Sequence, residues 1–226
     1  MIRLLKYKYH IAFLVFLSGL YGISLEVIRA FNSSNFGEFI LVTSFYFTTQ
    51  TNLFLTITSL FFILKLHNKS WYKYLIFITL VNVLVTAIIF HILLAPYMEN
   101  IELIQHVLHT VNPLLFIIFY FLFYEQVLPI KKFWICLIYP VVFLISVYLI
   151  IEPFYGDLMV ITMPDFNSAR YVYPFLDPET YSREWLGLWS FIFVIIAPFI
   201  AIISFISMWL KHKIDTKFIF INNKKA

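Results

Sequence analysis

The chain has 226 residues, of which 62% are hydrophobic and 12% are charged, with a net charge of +4 and a mean hydropathy of +0.89. Soluble domains carry about twice that share of charged residues, so the composition excludes a soluble globular protein and predicts a single membrane domain surrounded by lipid. The single cysteine, Cys136, excludes an internal disulfide and a cysteine-based metal cluster.

A membrane-spanning helix needs about 20 mostly apolar residues. Six stretches of the chain have about that length and are sufficiently apolar. None of them has the period-two alternation of a membrane β-strand, so we expect an all-α fold, a bundle of six transmembrane helices. The predicted spans are residues 10–28, 40–64, 74–97, 103–124, 133–151 and 185–210. Residues 152–184 form a long, aromatic external loop that we expect to fold over the outer ends of the helices.

The basic residues are concentrated on one side of this predicted bundle. With the N-terminus in the cytoplasm, all but three of the 16 Lys and Arg residues fall on the inner side, the exceptions being Arg29, Arg170 and Arg183. Of the 12 acidic residues, only Glu125 and Asp215 fall on that side. The positive-inside rule therefore predicts that both termini are cytoplasmic.

Ionisable side chains inside predicted spans are costly, and they indicate function. Here they are Glu26, His91, His106 and His109. In the predicted orientation all of them lie in the outer half of the membrane, with His109 about 9 Å below the start of the fourth span. The three histidines suit zinc, but no H-E-x-x-H motif accompanies them, so neither a metal site nor a cofactor is predicted.

The second span carries a run of polar residues that includes Thr48, Thr49, Gln50 and Asn52. Threonine in a membrane helix usually bonds its own backbone or a neighbouring helix, but it becomes a nucleophile when a histidine takes its proton. Thr48 and Thr49 are rotated from each other by about 100° around the helix, so only one of them faces a given pocket. Composition and spacing leave open which one does.

Three short motifs resemble a known family. They are "YFTTQTNLF" in the second span, "QHVLHTVNP" in the fourth and "YVYPFLD" in the external loop. Together they resemble the androgen-induced-gene and ADTRP-like family of multi-spanning membrane proteins, and more closely its bacterial relatives, the Pr6Pr family membrane proteins. Animal members are threonine hydrolases that cleave esters between fatty acids and hydroxy fatty acids.

This resemblance implies His109 as the catalytic histidine and Thr49 as the nucleophile, with Thr48 selected instead if the alignment shifts by one residue. His106 is the alternate histidine, and His106, Asn52 or Gln50 would polarise the ester carbonyl.

The resemblance also has a departure. The bacterial relatives carry an Asp-Trp pair beyond the proline that follows the histidine, where this chain has Phe119 and Tyr120. Glu26 or Asp177 would then replace the missing carboxylate. The remaining pocket residues are His91 and Tyr173.

The sequence thus predicts an intramembrane hydrolase of lipid-like esters, with the bilayer and the ester as its partners. A non-enzymatic lipid- or small-molecule-binding protein or transporter is the second interpretation, and a structural partner subunit is the third. Nucleic-acid and phosphate-loop motifs are absent from the sequence. The Lys-, Ile-, Asn- and Phe-rich composition is typical of an AT-rich bacterial gene and hence indicates a plasma membrane.

Overall fold

The computed structural model describes residues 5–164 and 169–223, so residues 165–168 of the expected loop and both extreme termini lie outside the described ranges. Within these ranges the fold is all-α and contains no strand, as the composition predicts. The main helices are α1 (Lys8–Phe31), α2 (Phe36–Ser44), α3 (Phe47–Ile63), α4 (Tyr72–Tyr97), α5 (Leu103–Phe123), α6 (Ile130–Thr162) and α7, which begins at Glu184 and ends at Asn223.

In the described part of the chain, five helices are long and apolar enough to cross a membrane, namely α1, α4, α5, α6 and α7. The second predicted span, residues 40–64, is not among them. It is divided into α2, with 9 residues, and α3, with 17 residues, or about 25 Å of helix. Neither piece alone has the length of a full crossing.

The chain breaks between α2 and α3 at Tyr46, whose backbone is extended, with φ −70° and ψ 132°. The N–H groups of Phe45 and Tyr46 bond to the carbonyls of Val42 and Thr43, three residues back, at 3.1 and 3.2 Å, so α2 ends in a tight turn. The Thr43 hydroxyl donates to the carbonyl of Phe39 at 2.9 Å, and the Ser44 hydroxyl donates to Leu41 at 2.6 Å. Gln50 then closes the gap, because its Nε2 donates to the Ser44 carbonyl at 2.9 Å.

Four π turns interrupt the described helices, and each ends two residues before a proline. In every case the residue before the proline donates its N–H to the carbonyl five residues earlier. Proline lacks an N–H and its ring clashes with the carbonyl four residues back, so the helix widens at that point. The prolines are Pro96, Pro113, Pro153 and Pro198, and the π turns are Phe90–Leu94, Val107–Val111, Val147–Ile151 and Ile192–Ile196.

The loop boundary expected at residue 152 differs from the structure, because α6 continues through Glu152–Thr162. The preceding π turn accommodates Pro153 without ending the helix. Arg170 then ties the following segment to the extension, with an ion pair to Glu152 at 3.1 Å and a second one to Asp157. With 33 residues α6 is about 50 Å long, more than the thickness of a bilayer core.

The described remainder of the expected loop packs against the helices. It consists of short 3-10 turns at Ala169–Tyr171, Pro174–Leu176 and Pro178–Thr180. Val172 and Tyr173 are buried, and the Tyr148 hydroxyl of α6 donates to the Leu176 carbonyl at 2.6 Å. This segment is therefore part of the packed structure.

Helix α1 approaches its neighbours closely at two glycines. A Cβ atom at Gly19 would lie 2.2 Å from the Thr56 hydroxyl oxygen of α3, and one at Gly22 would lie 2.7 Å from a Leu108 methyl group of α5. Helices in membranes commonly meet at small residues, because these let the backbones pack together. The two glycines therefore hold α1 against both helices that carry the candidate site.

Gly19→Ala is expected to destabilise the protein by about 1–3 kcal/mol, because the added methyl group overlaps Thr56 and pushes α1 from α3. Gly37→Ala is the matched control, since its Cβ would lie no closer than 3.7 Å to a neighbouring atom outside its own helix backbone. Thermal unfolding in detergent measures both variants. Equal melting temperatures would contradict the close α1–α3 contact.

Candidate functional site

A largely apolar cavity of about 120 Å³ lies between α3, α4, α5, α6, α7 and the segment after α6. Its polar side chains are Thr48, Thr86, His109 and Tyr173. The apolar lining is Phe47, Val85, Ile89, Phe90, Leu94, Leu137, Pro140, Val141, Phe143, Leu144, Phe175, Leu176, Ile192, Ile196, Ala197 and Ile200. Thr48 contacts both His109 and Tyr173, and these three side chains form the candidate site.

Thr48 and His109 are joined by a hydrogen bond. The Oγ1 atom of Thr48, in the first turn of α3, lies 3.2 Å from Nε2 of His109 on α5. The other ring nitrogen, Nδ1, lies 3.0 Å from the carbonyl oxygen of Gln105. Because a carbonyl only accepts, Nδ1 carries the proton, and in the neutral ring Nε2 is free to accept from the threonine hydroxyl. This is the arrangement in which a histidine activates a hydroxyl nucleophile.

The His109 ring is held by packing as well as by hydrogen bonds. It stacks on Phe90 of α4 with a centroid distance of 3.8 Å and an interplanar angle of 14°. His109 is buried, and both rings lie in π turns, one in α4 and one in α5. The ring therefore has one orientation, with Nε2 directed at Thr48.

Tyr173 brings a third polar group to this pair. Its hydroxyl accepts from the Thr48 backbone N–H at 3.3 Å and lies 3.3 Å from Thr48 Oγ1. Since the Thr48 proton is directed at His109, the tyrosine hydroxyl is the donor to Oγ1. Burial raises the pKa of the Tyr173 phenol, so it stays protonated near neutral pH. The residue is thus a hydrogen-bond donor beside the candidate nucleophile.

A buried amide network fixes the backbone around the pair. Nδ2 of Asn52 donates to the Thr48 carbonyl at 2.9 Å and to the Leu108 carbonyl at 3.3 Å. Oδ1 of Asn52 accepts from Asn112 at 2.8 Å, and Asn112 in turn accepts from the Ser18 hydroxyl of α1. The network therefore connects α1, α5 and α3 through the residues next to the Thr48–His109 contact.

Thr49, the first choice of nucleophile by resemblance, lies elsewhere. It lines a second cavity of about 180 Å³, which also contains Glu26 and Asn52. Glu26 pairs with Arg29 at 3.7 Å. Thr48, the alternative nucleophile, is the threonine that contacts His109.

The amide of Gln50 is engaged away from the first cavity. It accepts from the Tyr139 hydroxyl and donates to the backbone at the α2–α3 break. Asp177 accepts from the Glu179 N–H at 2.9 Å and so caps a short turn. Neither side chain lines the first cavity, so neither is placed to orient His109 or to polarise a carbonyl there.

His91 and His106 are exposed on the bundle surface, whereas His109 is buried. His91 Nε2 lies 3.0 Å from the Thr110 hydroxyl, away from the cavity. The three histidines therefore do not converge. Of the residues expected at one site, the structure brings together Thr48, His109 and Tyr173, with Asn52 behind them.

Sequence reasoning missed Gln105, Phe90, Asn112 and Ser18. The position of Pro113, four residues after His109, was the available indication, because a proline inside a membrane helix releases backbone carbonyls that side chains then satisfy. The other contacts have no local pattern, since they join residues 94 and 60 positions apart.

The fold is that of a multi-pass membrane protein, with five helices of sufficient length and hydropathy in its described part and a buried threonine–histidine contact beside an apolar cavity. No model of a known protein family, no curated protein and no solved structure matches this chain.

Asn52→Ala and Asn112→Ala are each expected to destabilise the protein by about 1–3 kcal/mol, because each leaves the other amide buried and unsatisfied. The double variant should cost less than the sum of the two, since the shared hydrogen bond is lost only once. Unfolding in a denaturing detergent titration measures this coupling. Ser146→Ala, which removes a local hydroxyl bond within α6, is the control, and its effect on the free energy of unfolding should add to that of either asparagine variant. If the effects of the two asparagine variants also simply add, the network is contradicted.

Proposed function

We propose that the protein is an intramembrane hydrolase of lipid-like esters, in which Thr48 is the nucleophile and His109 is the general base. The observation that carries this proposal is the 3.2 Å contact between Thr48 Oγ1 and His109 Nε2 at the surface of an apolar cavity. The resemblance of the local motifs to a family of threonine hydrolases supports the same chemistry, with Thr48 in place of Thr49.

In the first half of the reaction, Thr48 Oγ1 attacks the ester carbonyl carbon while its proton passes to His109 Nε2. The Gln105 carbonyl holds Nδ1–H and so stabilises the imidazolium that forms. As Oγ1 bonds to the carbonyl carbon, the Tyr173 hydroxyl beside it would turn from Oγ1 to the carbonyl oxygen, which gains negative charge. His109 then gives its proton to the departing alkoxide, and an acyl-threonine remains.

The apolar lining of the cavity favours a substrate with an apolar acyl chain. Residues from α6 and α7 line the cavity with aliphatic groups, among them Leu137, Val141, Ile196 and Ile200. The chain of a lipid would bury its surface against these groups, and the ester would lie at Thr48. Burial of each CH₂ group is worth about 0.8 kcal/mol, which is enough to select lipid esters over short soluble ones.

Replacing either member of the pair should abolish this chemistry. Thr48→Val and His109→Gln are each expected to lower kcat/KM for a chromogenic fatty-acid ester by about 10²–10⁴-fold, the usual contribution of a general base. His91→Gln and Thr110→Val are matched controls, because these two residues contact each other on the exposed surface. The assay uses the purified protein in detergent. If activity is lost with His91→Gln and kept with His109→Gln, the general base is His91 and not His109.

A non-enzymatic lipid-binding protein is the second candidate, and the apolar lining of the cavity favours it too. It predicts that hexadecanoic acid raises the melting temperature of the wild type, while no fatty-acid ester is cleaved above the background rate. Turnover that depends on Thr48 distinguishes the hydrolase from this candidate.

We further propose a six-span topology with both termini in the cytoplasm, in a bacterial plasma membrane. In this arrangement α2 and α3 together make the second crossing, and Gln50 bridges the break between them. The bias of basic residues supports the orientation. The segment between α6 and α7, which carries Tyr173, would then lie at the outer surface.

Single-cysteine labelling tests this topology. In a Cys136→Ala background, the Glu179→Cys variant should react with a membrane-impermeant maleimide in intact cells. The Lys69→Cys variant should react only after the membrane is permeabilised. Both residues are exposed, so exposure within the fold does not account for a difference. Labelling of Lys69→Cys in intact cells would reverse the proposed orientation.

A further inference from the structure

Two lysines from different helices converge on Tyr74, in the first turn of α4. The Lys132 ammonium, in the first turn of α6, donates to the Tyr74 hydroxyl at 2.6 Å and lies 4.9 Å from the centre of its ring. The Lys73 ammonium lies 5.7 Å from the centre of the same ring. Two cations that share one phenol repel each other, so this arrangement favours an anion beside them.

No carboxylate balances the two lysines in the described part of the chain. The ion pairs there use other cations, and at the same end of the bundle Lys8 is paired with Glu125. The sequence has no acidic residue between positions 39 and 98, or between 126 and 151. The positive charge at Tyr74 is therefore not compensated by the segments that carry it.

The Tyr74 hydroxyl adds a third hydrogen-bond donor to this group. It accepts from Lys132, and its own proton has no acceptor among the hydrogen bonds of the described residues. Ammonium groups only donate, and a phenol hydroxyl that already accepts has a proton left to donate. Charged donors of this kind make their strongest hydrogen bonds to anionic oxygens such as those of phosphate. The group thus has the chemistry of a phosphate site.

Two exposed tryptophans place this group at the level of lipid head groups. Trp71 directly precedes α4 and is 44% exposed, and Trp134 lies near the start of α6 and is 52% exposed. Tryptophan is enriched where membrane helices enter the head-group region. Lys73 and Lys132 are half-buried, so their stems lie against the protein while their ammonium groups stay at this level. The phosphate at this level is that of the surrounding lipid.

We propose that Lys73, Lys132 and Tyr74 form a binding site for the phosphate of an anionic phospholipid. Basic pockets between membrane helices bind anionic head groups in this way. The bound lipid would link the first turn of α4 to the first turn of α6, two helices that also line the first cavity. The site does not depend on the chemistry proposed for Thr48, so either proposal can fail without the other.

Native mass spectrometry of the purified protein in detergent tests this site, with phosphatidylglycerol as the anionic probe and phosphatidylcholine as the zwitterionic one. The wild type should bind one phosphatidylglycerol molecule more tightly than phosphatidylcholine. The double variant Lys73→Gln, Lys132→Gln should weaken phosphatidylglycerol binding by about 10- to 30-fold, because each lysine near an anionic lipid contributes about fivefold. Tyr74→Phe should weaken it by about threefold, since one hydrogen bond is lost.

The double variant Lys69→Gln, Lys131→Gln is the matched control. It removes the same charge from the same two segments, but both of its lysines are exposed and neither contacts Tyr74. It should bind phosphatidylglycerol as the wild type does. Equal losses in the two double variants would show attraction by net charge alone and would overturn the site. Displacement of the lipid by an equal concentration of inorganic phosphate would overturn the lipid as its occupant.

Lys132→Gln also removes a contact between α4 and α6, so a melting curve in detergent accompanies each binding measurement. If the double variant does not fold, Lys73→Gln alone makes the test, because Lys73 contacts only the tyrosine ring. This single variant should bind phosphatidylglycerol about fivefold more weakly than the wild type. An unchanged affinity in the folded variant would overturn the site.

Discussion

The candidate site depends on the π turn that precedes Pro113. In α5 the Asn112 N–H bonds to Val107 instead of Leu108, and Pro113 has no N–H to offer. The Leu108 carbonyl therefore has no backbone donor from either residue. In an apolar environment an unsatisfied carbonyl costs several kcal/mol, so another group must bond to it. Asn52 does so, and in doing so it brings α3 against α5 at Thr48 and His109.

The amide network of Asn52, Asn112 and Ser18 determines how α3 is oriented against α5. Asn52, Asn112 and Ser18 link three helices through buried polar atoms. Gly22 allows α1 to approach Leu108 and Asn112 closely enough for this network to form. Because the network binds the Thr48 carbonyl, it also sets which threonine of the second span faces His109. Thr48 faces the apolar cavity, and Thr49 faces the cavity that contains Glu26.

The sequence predicts the all-α class and the strongly apolar helices, because hydropathy and length are local properties. The cost of a histidine inside an apolar run points to His91, His106 and His109 alike, and only the family resemblance selects His109. The choice between Thr48 and Thr49 depends on how α3 is rotated about its own axis. That rotation is set by the break at Phe45 and Tyr46, which hydropathy does not reveal. Tyr173 was found only as part of a motif. Its contact with Thr48 spans 125 positions, and no periodic pattern encodes it. The π turns could have been predicted from the sequence, since each one in the described part of the chain precedes a proline.

We propose that Thr48, activated by His109, is the nucleophile of this membrane protein. An experimental structure of the protein after reaction with a long-chain alkyl fluorophosphonate tests it most directly. If Thr48 is the nucleophile, phosphorus will be bonded to Thr48 Oγ1, within hydrogen-bond reach of Tyr173, with the alkyl chain in the cavity lined by α6 and α7. Phosphorus on Thr49 Oγ1, or an unmodified Thr48 beside an ordered His109, would contradict it.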